Sequence, residues 1–207
     1  MKNRRDQRWL LAFSLIELMA VTAIVTSIPA AQYAKAQQKA HQIECGSNLQ
    51  QIGVSITAYQ TGENKFPDAV FYPDKPFEDP KSICKILENS GAGIPKEMWI
   101  CPAAPDSLKQ RGMTFVYNDS FAGRQSLPNP SKAWLLIEVN CVSKKVPPPH
   151  PQGYNILFAD GHVMATNRLP ASITSKQQAS LEQLRRDVEG HRLASLFLKD
   201  TPSSDAR

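Results

Sequence analysis

The sequence predicts an α+β fold: a long N-terminal helix whose outer half packs on a small antiparallel sheet of about four strands, with shorter helices added. Three observations predict it. Cys45, Leu49, Ile52, Ile56 and Tyr59 step by four and three residues, which places them in one apolar stripe on a helix. Four short runs rich in β-branched and aromatic residues follow, at 113–117 (MTFVY), 133–139 (AWLLIEV), 154–159 (YNILFA) and 162–166 (HVMAT). The last two are joined at Asp160-Gly161, a pair suited to a two-residue hairpin turn of type I′.

Taken in order, the 207 residues begin with a basic leader, residues 1–12, that holds Lys2, Arg4, Arg5 and Arg8 against Asp6. Beyond it the chain carries twenty Lys/Arg against eighteen Asp/Glu, so the formal charge of +5 reports the leader rather than a nucleic-acid-binding face. Residues 9–34 contain a single charge, Glu17. At about 1.5 Å per residue a helix over this stretch is long enough for a hydrocarbon core of ~30 Å. Residues 13–34 are therefore expected to span the inner membrane once, with the N-terminus cytoplasmic and all that follows extracytoplasmic, since the cations precede the span. The helix continues through 35–61 and stops near Gly62, with a kink expected at Pro29.

Residues 62–166 read as the globular domain. Its first part, 63–78, contains Pro67, Pro73 and Pro76 and is expected to be a loop. Asp79-Pro80 then has the form of an N-cap followed by proline at the first helical position, opening a helix to about Asn89 that Gly91 closes. Residues 167–207 are expected to form a C-terminal helical extension and a disordered tail. Ser175 and Gln178 have the spacing of a capping box, and Leu181, Leu184 and Val188 form an apolar stripe.

Glu17 stands among Leu15, Ile16, Leu18 and Met19, where an ionised carboxylate costs a few kcal/mol in lipid unless it is protonated, reaches the interface, or meets a cation. A free α-amino group on a second subunit, produced by a cut just before Phe13, would supply that cation. The run Ala12-Phe13-Ser14-Leu15-Ile16-Glu17-Leu18-Met19 after a short basic leader resembles the processing motif of type IV prepilins and of the pseudopilins of type II secretion systems. The resemblance implies cleavage between Ala12 and Phe13 by a prepilin peptidase, N-methylation of Phe13, and pairing of Glu17 with a neighbour's terminus during assembly. Ala12 departs from the glycine usual before the cut, and is small enough for cleavage to survive. Cys45-x-x-Asn48-Leu49-x-Gln51-Ile52-Gly53, Cys101-Pro102, and His150 followed nine residues later by Asp160-Gly161 resemble pilin-like proteins with the H-X9-DG processing-associated domain. The resemblance covers residues 12 to about 166. It implies a pilin-like fold, and as partners other pilin-like subunits, the peptidase, membrane lipid and a secretion or pilus assembly platform.

Cys45, Cys84, Cys101 and Cys141 all follow the membrane segment, where disulfides persist. Two disulfides are favoured over a zinc cluster because no paired C-x-x-C occurs. All three connectivities stay open, as does a free buried thiol, above all at Cys45. His150, Asp160 and His162 could be gathered by the hairpin around a divalent ion. Turn chemistry accounts for Asp160 without one, and no cofactor is expected, although the resemblance allows calcium. No nucleophile–base arrangement, phosphate-binding loop or dinucleotide motif occurs, so an enzyme is not expected. The expected role is a membrane-anchored structural subunit. The alternative is a minor pilin that binds a ligand or substrate.

Overall fold

The computed structural model describes residues 30–139 and 150–168, together with 170, 174, 177, 179–180, 182–184 and 186. Ala12, Phe13, Glu17, the Pro29 kink, Cys141, Ser175, Gln178, Leu181 and Val188 lie outside the described residues, as does the expected membrane segment up to residue 29. Among the described residues no helix is long and apolar enough to cross a membrane. The chain divides into two units at Gln37 and Gln38. Of the first, residues 30–37 are described and are helical.

Helix α1 runs Ala30–Glu63 and ends one residue beyond the expected Gly62. Asn64, at φ 54°, takes the left-handed position that terminates it. The predicted stripe is the buried face: Cys45, Leu49, Ile52 and Ile56 are at most 1% exposed, and Tyr59 is buried at its end. Burying each of the larger aliphatic side chains contributes about 1.5–3 kcal/mol, which far exceeds the modest helical propensity of this polar segment. Gly53 lies on this face for a steric reason. A Cβ there would stand 3.0 Å from Leu157 Cδ1, so the missing side chain lets the helix approach the sheet closely.

The sheet has four antiparallel strands in the order β1 (Phe115–Tyr117), β2 (Trp134–Glu138), β3 (Tyr154–Phe158) and β4 (Val163–Thr166). Each falls within its predicted run. All residues of the two central strands are buried, which explains their near-continuous apolar composition. Leu136 pairs with Leu157 and Ile137 with Ile156, so the next pair along brings Glu138 opposite Asn155. The β3–β4 connection differs from the expected turn. Gly161 N–H donates to the Phe158 carbonyl (2.9 Å), making a three-residue connection in which Gly161, at φ 88°, is the left-handed residue. A type I′ turn needs positive φ at Asp160 as well, and among the described non-glycine residues only Asn64 and Asn129 have it.

The second helix, α2, spans Ile83–Asn89 rather than starting at Asp79. Ser82 is its N-cap, its hydroxyl accepting from Cys84 N–H (3.2 Å). Asp79 instead closes the preceding turn, its carboxylate accepting from Lys81 N–H (2.8 Å). A one-turn helix, α3 (Asp106–Lys109), and short 3-10 turns complete this region. Among the described residues, Thr174 and Gln177 form a reciprocal capping pair: Thr174 Oγ1 accepts from Gln177 N–H (3.2 Å), and Gln177 Oε1 accepts from Thr174 N–H (3.0 Å). Gln177 Nε2 also reaches Asn118 Oδ1 (2.8 Å) and Asp119 Oδ1 (2.8 Å), and Leu184 is buried, so this segment belongs to the domain's own packing.

Candidate functional site

Four side chains from four parts of the chain meet where α1 packs on the sheet. Cys45 comes from the apolar stripe, and Cys101 from the segment after the 3-10 turn Lys96–Trp99. Glu138 closes β2, and His150 stands at the turn into β3. Cys101 is held from two sides. Asn48 Nδ2 donates to the neighbouring Ile100 carbonyl (3.4 Å), and Cys101 N–H donates to Thr114 Oγ1 (2.7 Å). Its sulfur is bonded to that of Cys45, with the Cα atoms 5.1 Å apart. A crosslink across 56 residues removes about 4 kcal/mol of loop-closure entropy from the unfolded chain at 25 °C.

Of the pairings left open by the sequence, the structure shows Cys45 with Cys101, so Cys45 is no free thiol. Cys84, expected in a disulfide, is instead a free buried thiol, 3.8 Å from Met113 Sδ. Burial pushes its pKa up to about 12, so at neutral pH it is a small apolar side chain rather than a nucleophile.

The expected His150–Asp160–His162 cluster is divided. Asp160 and His162 meet at the hairpin tip, with Oδ1 2.5 Å from the ring Nδ1 and accepting also from His162 N–H (3.2 Å). Partial desolvation raises the Asp160 pKa, but those hydrogen bonds outweigh it and leave the carboxylate below its usual range. His162 stacks on Phe158 with ring centroids 4.4 Å apart, so both polar residues of the tip have local structural roles. His150 points elsewhere. Its Nε2 lies 3.0 Å from Glu138 Oε1 and 3.4 Å from Cys101 Sγ.

Glu138 is the residue that the sequence reading passed over. It is 1% exposed, and its carboxylate accepts from Asn155 N–H (2.9 Å), from Asn155 Nδ2 (3.2 Å) and from the His150 ring. Asn155 Nδ2 also donates to the Gln42 carbonyl of α1 (3.2 Å), tying helix to sheet. The signal was present: a lone acid ending the apolar run AWLLI has the same logic as Glu17 among leucines, because a buried charge demands partners. Its partners could not be read from the sequence, since Asn155 lies on the neighbouring antiparallel strand β3 and His150 at the turn before it, 17 and 12 residues further along the chain.

His150 owes its position to Gly153. The His150 carbonyl accepts from Gly153 N–H (3.0 Å). Gly153 has φ 102°, and a Cβ there would fall 2.2 Å from the Thr166 carbonyl oxygen. Only glycine fits, and the turn it makes delivers the imidazole to Glu138. The resulting centre joins α1, the Trp99–Cys101 segment, β2 and the entry to β3 through one covalent bond and one hydrogen-bonded carboxylate. No family model, curated protein or solved structure matches the chain.

Proposed function

We propose that this chain is a membrane-anchored, pilin-like structural subunit that assembles through its N-terminal helix in a type II secretion or type IV pilus-like system. The observation that carries the reading is α1 itself. The helix that buries the stripe from Cys45 to Tyr59 on a four-stranded antiparallel sheet follows directly on the stretch bearing Ala12, Phe13 and Glu17. In this arrangement the outer half of the helix carries the globular domain. The inner half, cut before Phe13, packs against other subunits, with Glu17 setting register through a neighbour's terminal amine. The crosslinked centre supports the same reading, because it clamps the domain to the helix that would bear the load of assembly.

A ligand-binding minor subunit is the second reading, favoured by a groove of about 360 Å³ between α1 and β4, lined in part by Lys39, Gln50, Gln152 and Val163.

Mass spectrometry of the protein from membranes tests the processing step, and is expected to show a chain starting at N-methylated Phe13. Glu17→Val is expected to insert and be cleaved normally while losing assembly. Normal filaments or complexes from that variant would refute the register role, and a mature chain starting at Met1 would overturn the whole reading.

A further inference from the structure

We propose that, in its dithiol form, the Cys45–Cys101–Glu138–His150 centre is a zinc(II) site, so that disulfide and metal are alternative crosslinks of the same four residues. One ligand atom from each lies within 4.8 Å of all the others, and all four residues are buried. A tetrahedral zinc ion with sulfur ligands at ~2.3 Å and nitrogen or oxygen ligands at ~2.0–2.1 Å sets its ligand atoms roughly 3.3–3.8 Å apart. His150 Nε2 is already 3.4 Å from Cys101 Sγ and 3.0 Å from Glu138 Oε1. On reduction the two sulfurs need only part to complete the set.

The donors match the metal. Two thiolates, an imidazole and one carboxylate form a mixed soft and borderline set with tetrahedral preference, which selects zinc over calcium or magnesium. Outer contacts are in place too, since Asn155 N–H and Nδ2 both hold the Glu138 carboxylate. Gln42 and Asn155 line the groove between α1 and β4, which gives an ion a polar route toward Glu138.

The conversion balances. A dithiol donor gives two electrons and two protons to the disulfide and leaves as its own disulfide. The resulting Cys45 and Cys101 thiols then release two protons as zinc binds both sulfurs.

Cobalt(II) and zinc(II) added to the full-length protein test this, before and after reduction with a phosphine under anaerobic conditions. A Cys84→Ser/Cys141→Ser background leaves only the two relevant thiols. The reduced protein is expected to bind one ion per chain and to give the intense visible bands of tetrahedral cobalt with thiolate charge transfer, while the oxidised protein binds none. X-ray absorption of the zinc form is expected to show two sulfur and two nitrogen or oxygen ligands. Competition with a chromophoric chelator is expected to show a loss of at least about tenfold in affinity in His150→Ala and in Glu138→Gln. Absence of stoichiometric binding by the reduced wild-type background would overturn the proposal, as would a two-sulfur site whose remaining ligands are all water. Equal binding before and after reduction would also overturn it. The wild-type spectrum and ligand count decide the matter even if either variant folds poorly.

Discussion

Removing the Glu138 carboxylate should be among the most damaging single changes outside the aliphatic core. In Glu138→Ala the Asn155 backbone N–H (2.9 Å) and the His150 Nε2–H (3.0 Å) both lose their acceptor in a buried site. Each orphaned buried donor costs about 1–3 kcal/mol. Asn155 Nδ2 suffers less, because it keeps the Gln42 carbonyl. Relief from burying a charge offsets part of the loss, and the small cavity adds to it. The net expectation is about 3–5 kcal/mol, the range found when one partner of a buried pair is deleted. Glu138→Gln should cost only about 1–2 kcal/mol, since the amide oxygen still accepts from Asn155 N–H and a change of tautomer lets His150 accept from the amide nitrogen. Urea unfolding of the oxidised protein, followed by the fluorescence of buried Trp99 and Trp134, measures both. With a slope of about 2 kcal/mol per molar urea, the alanine variant should shift the midpoint by roughly 2 M and the glutamine variant by less than half of that. An alanine variant within about 1 kcal/mol of wild type would show that the carboxylate does not hold this centre together, and a glutamine variant as damaged as alanine would show that a neutral acceptor cannot replace it.

Two further outcomes follow from the geometry. Gly153→Ala should lose at least about 2 kcal/mol, because it combines positive φ with a clash against the Thr166 carbonyl, whereas Gly161→Ala at the open hairpin tip should lose only about 1–2 kcal/mol; equal losses in thermal or urea unfolding would contradict the close approach. In alkali the folded state keeps the Cys84 proton after the unfolded chain has released it. The stability this represents is intact below the unfolded pKa near 9 and is lost progressively as pH rises toward about 12, by up to ~4 kcal/mol, with buried Tyr72 shifted the same way. Urea midpoints between pH 8 and 11 should therefore fall more steeply in wild type than in Cys84→Ala, and superimposable slopes would disprove the role of Cys84 burial.

The features legible in the sequence depended on local pattern. The stripe from Cys45 to Tyr59 and the four β-rich runs were legible because burial on one face imposes a period on the sequence, and that period survives whatever the element packs against. Boundaries slipped where two local solutions compete. Asp79-Pro80 and Ser82 both suit a helix start, and Ser82 prevailed because Asp79 is used in the turn before it. Thr174 with Gln177 has the same capping spacing as the expected Ser175 with Gln178, and Gln177 also reaches Asn118 and Asp119.

By itself the sequence determined the α+β architecture, the buried helix face and the positions of the four strands along the chain, all consequences of hydrophobic periodicity and turn chemistry within a few residues. Tertiary structure alone decided that Cys45 bonds to Cys101 and leaves Cys84 free, and that His150 turns to Glu138 instead of to Asp160 and His162. Those pairings join residues up to 56 apart in sequence. They depend on strand register, on the close approach at Gly53 and on the turn at Gly153, and so exist only once helix and sheet are packed together.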